Sequence, residues 1–261
     1  MKIAVLIAHA NREPFATARF LTENRVVAVN ASQGVDTFYV SGKKTSSFGM
    51  KFRDKIEKLR WTRFFFLLRI FDSITLRKFH KELANLRLSG RDIHVQIPED
   101  IRHLSPKLLA TYNLLYEMGY DWVVRTTIFS VIRTKKLVNI LEKLSLKEPI
   151  VGGKRVEQFD KSKFISGSFT VLNREAIRKV IQSKSKLKFG LIDDIAFSRL
   201  FEELGFQSIE IPSLNVISRH DFLSLSDDQV AEACQIRLRS SIKSNSDILM
   251  LDELFDHISA I

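Results

Sequence analysis

Short apolar runs alternate with longer stretches of mixed apolar and polar residues from one end of the chain to the other. Residues 3–8 are continuously apolar, which is typical of a parallel strand buried on both faces. Residues 35–40, 122–126 and 163–172 predict further strands, and residues 25–30 predict a strand or an extended connection. Helical stretches separate these strands. The pattern therefore predicts an α/β protein with a mostly parallel, Rossmann-like central sheet and helices on both faces.

Helix boundary signals support this alternation in the second half of the chain. Asn173 is a good N-cap for the helix that follows a predicted strand, and Asp193 opens a helix that ends near Gly205. Two more helices are predicted towards the C-terminus, at residues 227–239 and 246–258.

A chain of 261 residues with 45% hydrophobic residues can bury one substantial core. We therefore predict one domain over residues 1–222, with a basic helical insertion at about 51–88, followed by a helical extension over residues 223–261. The single cysteine, Cys234, excludes an internal disulfide and favours a reducing compartment. No apolar run reaches the roughly 20 residues that a membrane-spanning helix needs. These features predict a cytoplasmic protein.

The formal net charge is +11, and much of the basic excess lies between residues 43 and 91. Such a surface favours an anionic partner, which includes nucleic acid, acidic lipid and phosphorylated substrates. Residues 51–82 combine basic and aromatic side chains, so they predict either a core helix or a peripheral helix at the inner face of a membrane, near a lipid-linked acceptor. Nucleic acid ranks last as a partner because the usual recognition motifs are absent.

The predicted strand at 122–126 leads directly into polar residues. Arg125, Thr126 and Thr127 bring a guanidinium and two hydroxyls to the carboxyl edge of the sheet, where ligands of open α/β sheets bind. Arginine offers a bidentate fork that suits phosphate. The alternative is that Arg125 pairs with a surface acid for structural reasons.

Two later segments add candidate chemistry. Gly167, between two serines, predicts either a close approach of the backbone to a ligand or a plain bulge. Asp193 and Asp194 stand at a helix start, where one carboxylate can cap the helix while the other faces a cleft. A carboxylate beside an acceptor hydroxyl can act as a general base, an effect worth roughly 100- to 10,000-fold. Alternatively, both acids cap the helix.

The order of these segments resembles a known family. From about residue 2 to 211, the chain is similar to inverting glycosyltransferases of the GT-A fold, in particular the β-1,3-galactosyltransferase-like group and its bacterial and viral relatives. Residues 120–126 are similar to the family strand Tyr-Asp-Phe-Val-Val-Lys-Thr, and residues 165–176 to its pattern "isGsgyvlsrea". The Asp193-Asp194-Ile195 segment is similar to the Glu/Asp-Asp-Val motif that follows.

The chain departs from this family at its metal motif. Where the family has Asp-x-Asp, this chain has Thr127, Ile128 and Phe129, and hard cations such as Mn²⁺ or Mg²⁺ want oxygen ligands. We therefore predict no metal site at these residues. Cationic side chains would then neutralise the leaving diphosphate, and the candidates are Arg125, Lys107, Arg12, and the pair Arg219 and His220. Instead of binding phosphate, His220 could bind a metal ion or have a purely structural role.

The resemblance implies a role for each remaining candidate. Asp194 is the expected catalytic base, and Gly167, Ser168 and Asp193 are expected near the sugar or the acceptor. The expected donor-binding residues are Ala8, His9, Asn11, Arg12, Ser41, Lys107, Arg125, Thr126 and Thr127. The implied activity is the transfer of a sugar from a nucleotide-sugar to an acceptor hydroxyl, with inversion, in cell-surface glycan synthesis. The alternative is a catalytically inactive GT-A-like binding domain.

Overall fold

The computed structural model describes residues 1–10, 13–43, 81–99, 103–157, 163–189, 191–239 and 245–260. Predictions for Asn11 and Arg12, and for most of the basic segment at 51–88, therefore lie outside the described residues. The strands are β1 (Ile3–Ala8), β2 (Val35–Lys43), β3 (Leu86–Ser89), β4 (Asp92–Pro98), β5 (Trp122–Thr127), β6 (Ser130–Ile132), β7 (Ile150–Glu157), β8 (Lys163–Asn173), β9 (Gln207–Glu210), β10 (Ser213–Val216) and β11 (Gln235–Leu238). The α-helices are α1 (Phe15–Ser32), α2 (Leu104–Glu117), α3 (Thr134–Leu141), α4 (Arg174–Gln182), α5 (Asp193–Glu203), α6 (Arg219–Leu223), α7 (Asp227–Glu232) and α8 (Asn245–Ala260).

The main sheet has the strand order β3-β4-β2-β1-β5-β8-β7-β9. The central strand β1 is parallel to β2 and β5, and Ala8 lies opposite both Val40 and Thr127. Strand β8 runs antiparallel to β5 and β7. The predicted mostly parallel sheet is confirmed. Because β2, β1 and β5 run the same way, the residues that follow them meet at one edge of the sheet.

Side chains of the sheet alternate between two apolar layers. Val5 packs in one hydrophobic cluster and Leu6 in the other, because successive strand residues point to opposite faces. Helices α1, α3 and α8 contribute to the first cluster, and α2, α4 and α5 to the second. The predicted helices on both faces are confirmed. None of the described helices is both long and apolar enough to cross a membrane.

Two local predictions at residues 25–30 and Asn173 have opposite outcomes. The strand or extended connection predicted at residues 25–30 is wrong, because these residues continue α1, where buried Asn30 donates to Thr37 Oγ1 at 2.8 Å. The predicted cap at Asn173 is confirmed. Its side chain accepts from the amide nitrogens of Ala176, at 2.9 Å, and Ile150, at 3.0 Å, so it fixes both α4 and the start of β7.

A second, smaller sheet has the order β10-β11-β6. Strand β11 is parallel to β10 and antiparallel to β6, with Arg237 opposite Ser130. The helix predicted at 227–239 is therefore wrong in its second half. Ile236 and Leu238 are fully buried in the core, and the neighbouring strands supply hydrogen-bond partners that favour the extended backbone. The domain boundary near residue 222 stays a prediction.

Candidate active site

A buried ion pair lies at the end of β5. The guanidinium of Arg125 pairs with the carboxylate of Asp193, and the two residues are 6% and 4% exposed. Burial is the largest single influence and lowers the pKa of Arg125, but the charge of Asp193, its hydrogen bond, and the nearby Tyr112 and Asp194 together raise that pKa above the ordinary arginine value. Arg125 therefore pairs with an acid, as the structural alternative predicted, but the predicted surface position of that acid is wrong, because Asp193 is buried.

Gly167 packs directly against this pair. A Cβ atom at this position would lie 2.8 Å from Arg125 Nη1 and 2.9 Å from Asp193 Oδ2, both closer than real Cβ atoms approach. The glycine in β8 therefore allows the close approach of an ion pair within the protein. This contact explains why the strand carries a residue without a side chain at this point.

The two adjacent acids have different environments. Neither caps α5, because its N-cap is Ile192 without a side-chain capping hydrogen bond, so the predicted capping role is wrong. Asp193 forms the ion pair with Arg125. Asp194 is half-buried, accepts from the Gly167 amide at 3.4 Å, and has no ion pair within the described residues. Burial first, and repulsion by Asp193 second, raise the pKa of Asp194 above its usual value.

Three of the predicted donor-binding residues, His9, Ser41 and Lys107, are buried. Ser41 Oγ lies 3.0 Å from His94 Nδ1, and Lys107, 2% exposed, pairs with Glu99. His9 is also buried, and burial first and the Arg19 charge second lower its pKa. The charge of Lys107 is therefore already matched by a carboxylate.

Arg219 and His220 lie on the surface at the start of α6. Arg219 Nη2 lies 2.9 Å from Glu253 Oε1, and both Arg219 and His220 are exposed. The predicted roles of these two residues, and of the other candidates, stay predictions.

The sequence reasoning missed the residues that the second sheet brings to this place. Gln235 is fully buried, and its Nε2 donates to Thr126 Oγ1 at 2.9 Å and to the Ser168 carbonyl at 2.8 Å. Arg237 and Arg239 follow it at a spacing of two. The signal that could have revealed them is the alternation of polar and apolar residues at 235–239, which is typical of a strand.

The residues at the family's metal position do not fit a divalent cation. Ile128 and Phe129 are 4% and 2% exposed and pack in the core, and Thr127 Oγ1 lies 2.9 Å from Ser130 Oγ. Hard cations require several oxygen ligands, which two apolar side chains cannot supply. The described ranges contain no group of three or more His, Cys, Asp or Glu residues that could hold a metal ion.

A cavity of about 190 Å³ lies between β7, β8 and α5. Its lining includes Ile165, Ser198, Phe201 and Phe206. Ser198 follows Asp194 by four residues, so both side chains lie on the same side of α5, one helical turn apart. The cavity therefore lies about one helical turn from Asp194, which is not one of its lining residues.

Comparisons with known proteins identify the fold. No protein-family model and no curated protein sequence matches this chain. An active-site mutant of LgtC gives a TM-score of 0.50 at 12% sequence identity, covering 100% of this chain and 95% of that chain. A complex of the galactosyltransferase LgtC with donor and acceptor sugar analogues gives 0.49 at 12% identity, over 98% and 96% of the two chains.

A glycosyltransferase involved in the glycosylation of the major capsid of PBCV-1 gives a TM-score of 0.48 at 9% identity, over 98% of this chain and 100% of that one. The match to the LgtC mutant, at 0.50, extends over the whole chain. The expected GT-A fold is therefore confirmed.

Proposed function

We propose that this protein transfers a sugar from a nucleotide-sugar to an acceptor hydroxyl. The observation that carries the proposal is the state of Asp194, a half-buried carboxylate with a raised pKa and no ion pair in the described part of the chain. It stands at the helix start that follows the sheet edge, in a fold shared with the active-site mutant of LgtC. A raised pKa makes a carboxylate a better proton acceptor for a hydroxyl group.

The proposed reaction is a single displacement. The acceptor oxygen forms a bond to the anomeric carbon while its proton passes to Asp194. The bond between that carbon and the diphosphate breaks at the same time, and its electron pair leaves with the nucleoside diphosphate. Because one displacement occurs on the face opposite the leaving group, the anomeric configuration of the transferred sugar is inverted.

The cavity beside Ser198 is the proposed place for part of the acceptor. Its lining combines apolar side chains with Arg155, Ser198, Glu202 and Ser208, and it lies one turn along α5 from the proposed base. An acceptor with an apolar portion, as in a glycan carried on a lipid, would match this lining. Synthesis of a cell-surface glycan at the inner face of a membrane is consistent with such an acceptor, and the basic charge favours contact with acidic lipid.

The first test is a screen of nucleotide-sugars for thermal stabilisation and for release of nucleoside diphosphate with an added acceptor. Asp194→Asn should reduce transfer by roughly 100- to 10,000-fold, while binding of the nucleotide-sugar stays near the wild-type level. Asp228→Asn is a matched control, because Asp228 is an exposed acid in the first turn of another helix. Full turnover in Asp194→Asn would overturn the role of this residue, and a retained anomeric configuration would overturn the single displacement.

A second candidate function is binding without catalysis. The observation that favours it is the loss of the acidic metal motif at Thr127, Ile128 and Phe129. This candidate predicts that a nucleotide-sugar stabilises the protein, that no nucleoside diphosphate is released, and that Asp194→Asn changes neither result.

A further inference from the structure

Three cationic side chains lie close enough together for their charges to interact, and the charge of Asp194 acts on one of them, Arg237. They are Lys154 of β7, Arg237 of β11 and Arg239, the residue directly after β11, and we call them the basic triad. Lys154 and Arg237 are half-buried, and Arg239 is exposed. Lys154 Nζ reaches across to the carbonyl of Ser213, at the start of β10, at 3.3 Å. The triad thus spans the junction between the main sheet and the second sheet.

The orientation of β11 follows from Gln235. Its side chain points at Thr126 and Ser168, which places that face of β11 over the ends of β5 and β8. Residues two apart on a strand share a face, so Arg237 and Arg239 continue this face along the strand. Arg237 lies opposite Ser130, and the backbone amide of Arg239 donates to Val216 O at 2.7 Å. Strand pairing on both sides therefore holds the two arginines in place.

Among the described residues, carboxylates offset the charge of the triad only in part: the charge of Glu210 raises the pKa of Lys154, and that of Asp194 raises the pKa of Arg237. Within the described ranges, none of its three members forms an ion pair with a carboxylate. Burial first, and then the charges of Arg239 and Arg237, lower the pKa of Lys154. Burial first, and Arg239 second, lower the pKa of Arg237, while Asp194 acts on it in the opposite direction. Like charges in a partly buried cluster repel one another, and a bound anion would relieve this repulsion.

The position of the triad indicates which anion it would take. Arg237 is paired with Ser130, the residue directly after Thr127, Ile128 and Phe129, where the family carries its metal ligands. It is also close enough to Asp194 and Arg125 for their charges to affect its pKa. Cationic side chains can stabilise the negative charge that develops on a leaving phosphate, as a metal ion does.

We propose that Lys154, Arg237 and Arg239 bind the diphosphate of the donor and replace the divalent cation that the resemblance implies. The proposal rests on the proposed sugar transfer for the identity of the donor. The anion site itself does not depend on turnover. It assigns the diphosphate to residues other than Lys107 and Arg125, whose charges are matched by Glu99 and Asp193.

The test uses inorganic pyrophosphate and isothermal titration calorimetry on the full chain, in EDTA. The wild type should bind, and Arg237→Met and Lys154→Met should each weaken binding by roughly 10- to 150-fold, the range for hydrogen bonds to charged groups. Arg237→Lys should keep most of the affinity because it keeps the charge. Lys147→Met is the control, since Lys147 is an exposed lysine in the connection before β7, near the edge of the sheet where β5 begins. Thermal melting of each variant reports whether it is folded.

Several outcomes would overturn the proposal that the basic triad binds the diphosphate. These are wild-type affinity in folded Arg237→Met and Lys154→Met, an equal loss in Lys147→Met, or pyrophosphate binding that requires added Mn²⁺. Each outcome leaves the role of Asp194 standing, because that role is tested by transfer. Conversely, full turnover in Asp194→Asn would end the proposed catalytic role while pyrophosphate binding by the triad remained measurable.

Discussion

Replacing Asp193 by Asn is expected to destabilise the protein strongly. The substitution keeps the size of the side chain but removes the charge that neutralises Arg125, and both residues are more than nine-tenths buried. Removing one partner of a buried pair leaves an uncompensated charge, which typically costs about 3–5 kcal/mol of unfolding free energy. The Asn oxygen can still accept a hydrogen bond, so we expect about 3 kcal/mol. At about 2–4 °C per kcal/mol for a chain of this size, Tm should fall by roughly 6–12 °C.

Replacing the neighbouring Asp194 by Asn should instead increase the free energy of unfolding at neutral pH. The folded-state pKa of Asp194 is raised, so between the unfolded and folded pKa values the folded protein holds more protons than the unfolded chain. Stability contributed by this group therefore falls as pH rises through that window. Asn removes the cost of the buried charge, and its oxygen can still accept from the Gly167 amide. The variant should be more stable than the wild type at neutral pH, and the difference should shrink below the ordinary pKa of aspartate.

The assay is thermal and denaturant unfolding of the wild type and both variants at neutral and acidic pH. The two substitutions are chemically identical and one residue apart, so each is the control for the other. Equal changes in Tm, or a loss of stability in Asp194→Asn as large as that in Asp193→Asn, would refute the division of roles between the two acids.

Two further predictions concern the same site. The transfer rate should rise with pH through an apparent pKa above the ordinary aspartate value, since Asp194 must be ionised to act as a base. Initial rates measured across pH test this. A rate that rises with an apparent pKa at the ordinary aspartate value would contradict it. Gly167→Ala should lower the unfolding free energy by roughly 1–3 kcal/mol, because its methyl group would collide with Arg125 and Asp193. Denaturant unfolding measures the loss, and an unchanged midpoint with an unchanged slope would show that the pair can move aside.

Elements whose signals are local could be predicted from the amino-acid sequence. The apolar run of β1 predicts a buried parallel strand, and the cap at Asn173 predicts the start of α4, because both depend on neighbouring residues. The adjacent acids at 193 and 194 indicated a chemical site for the same reason. In contrast, the sequence predicts a helix over residues 227–239, because the four residues of β11 show too little alternation to outweigh the helical pattern of the residues before them.

The roles of the individual side chains at the site depend on contacts between segments that are distant in sequence. Gln235 contacts Thr126 across 109 residues of sequence, and that contact turns Arg237 towards the sheet edge. Arg125 forms its ion pair with Asp193, and within the described ranges Asp194 forms none, a distinction that two identical side chains in sequence cannot reveal. Burial, pairing and charge repulsion depend on which distant segments pack together, and those distances are set by the fold rather than by local spacing.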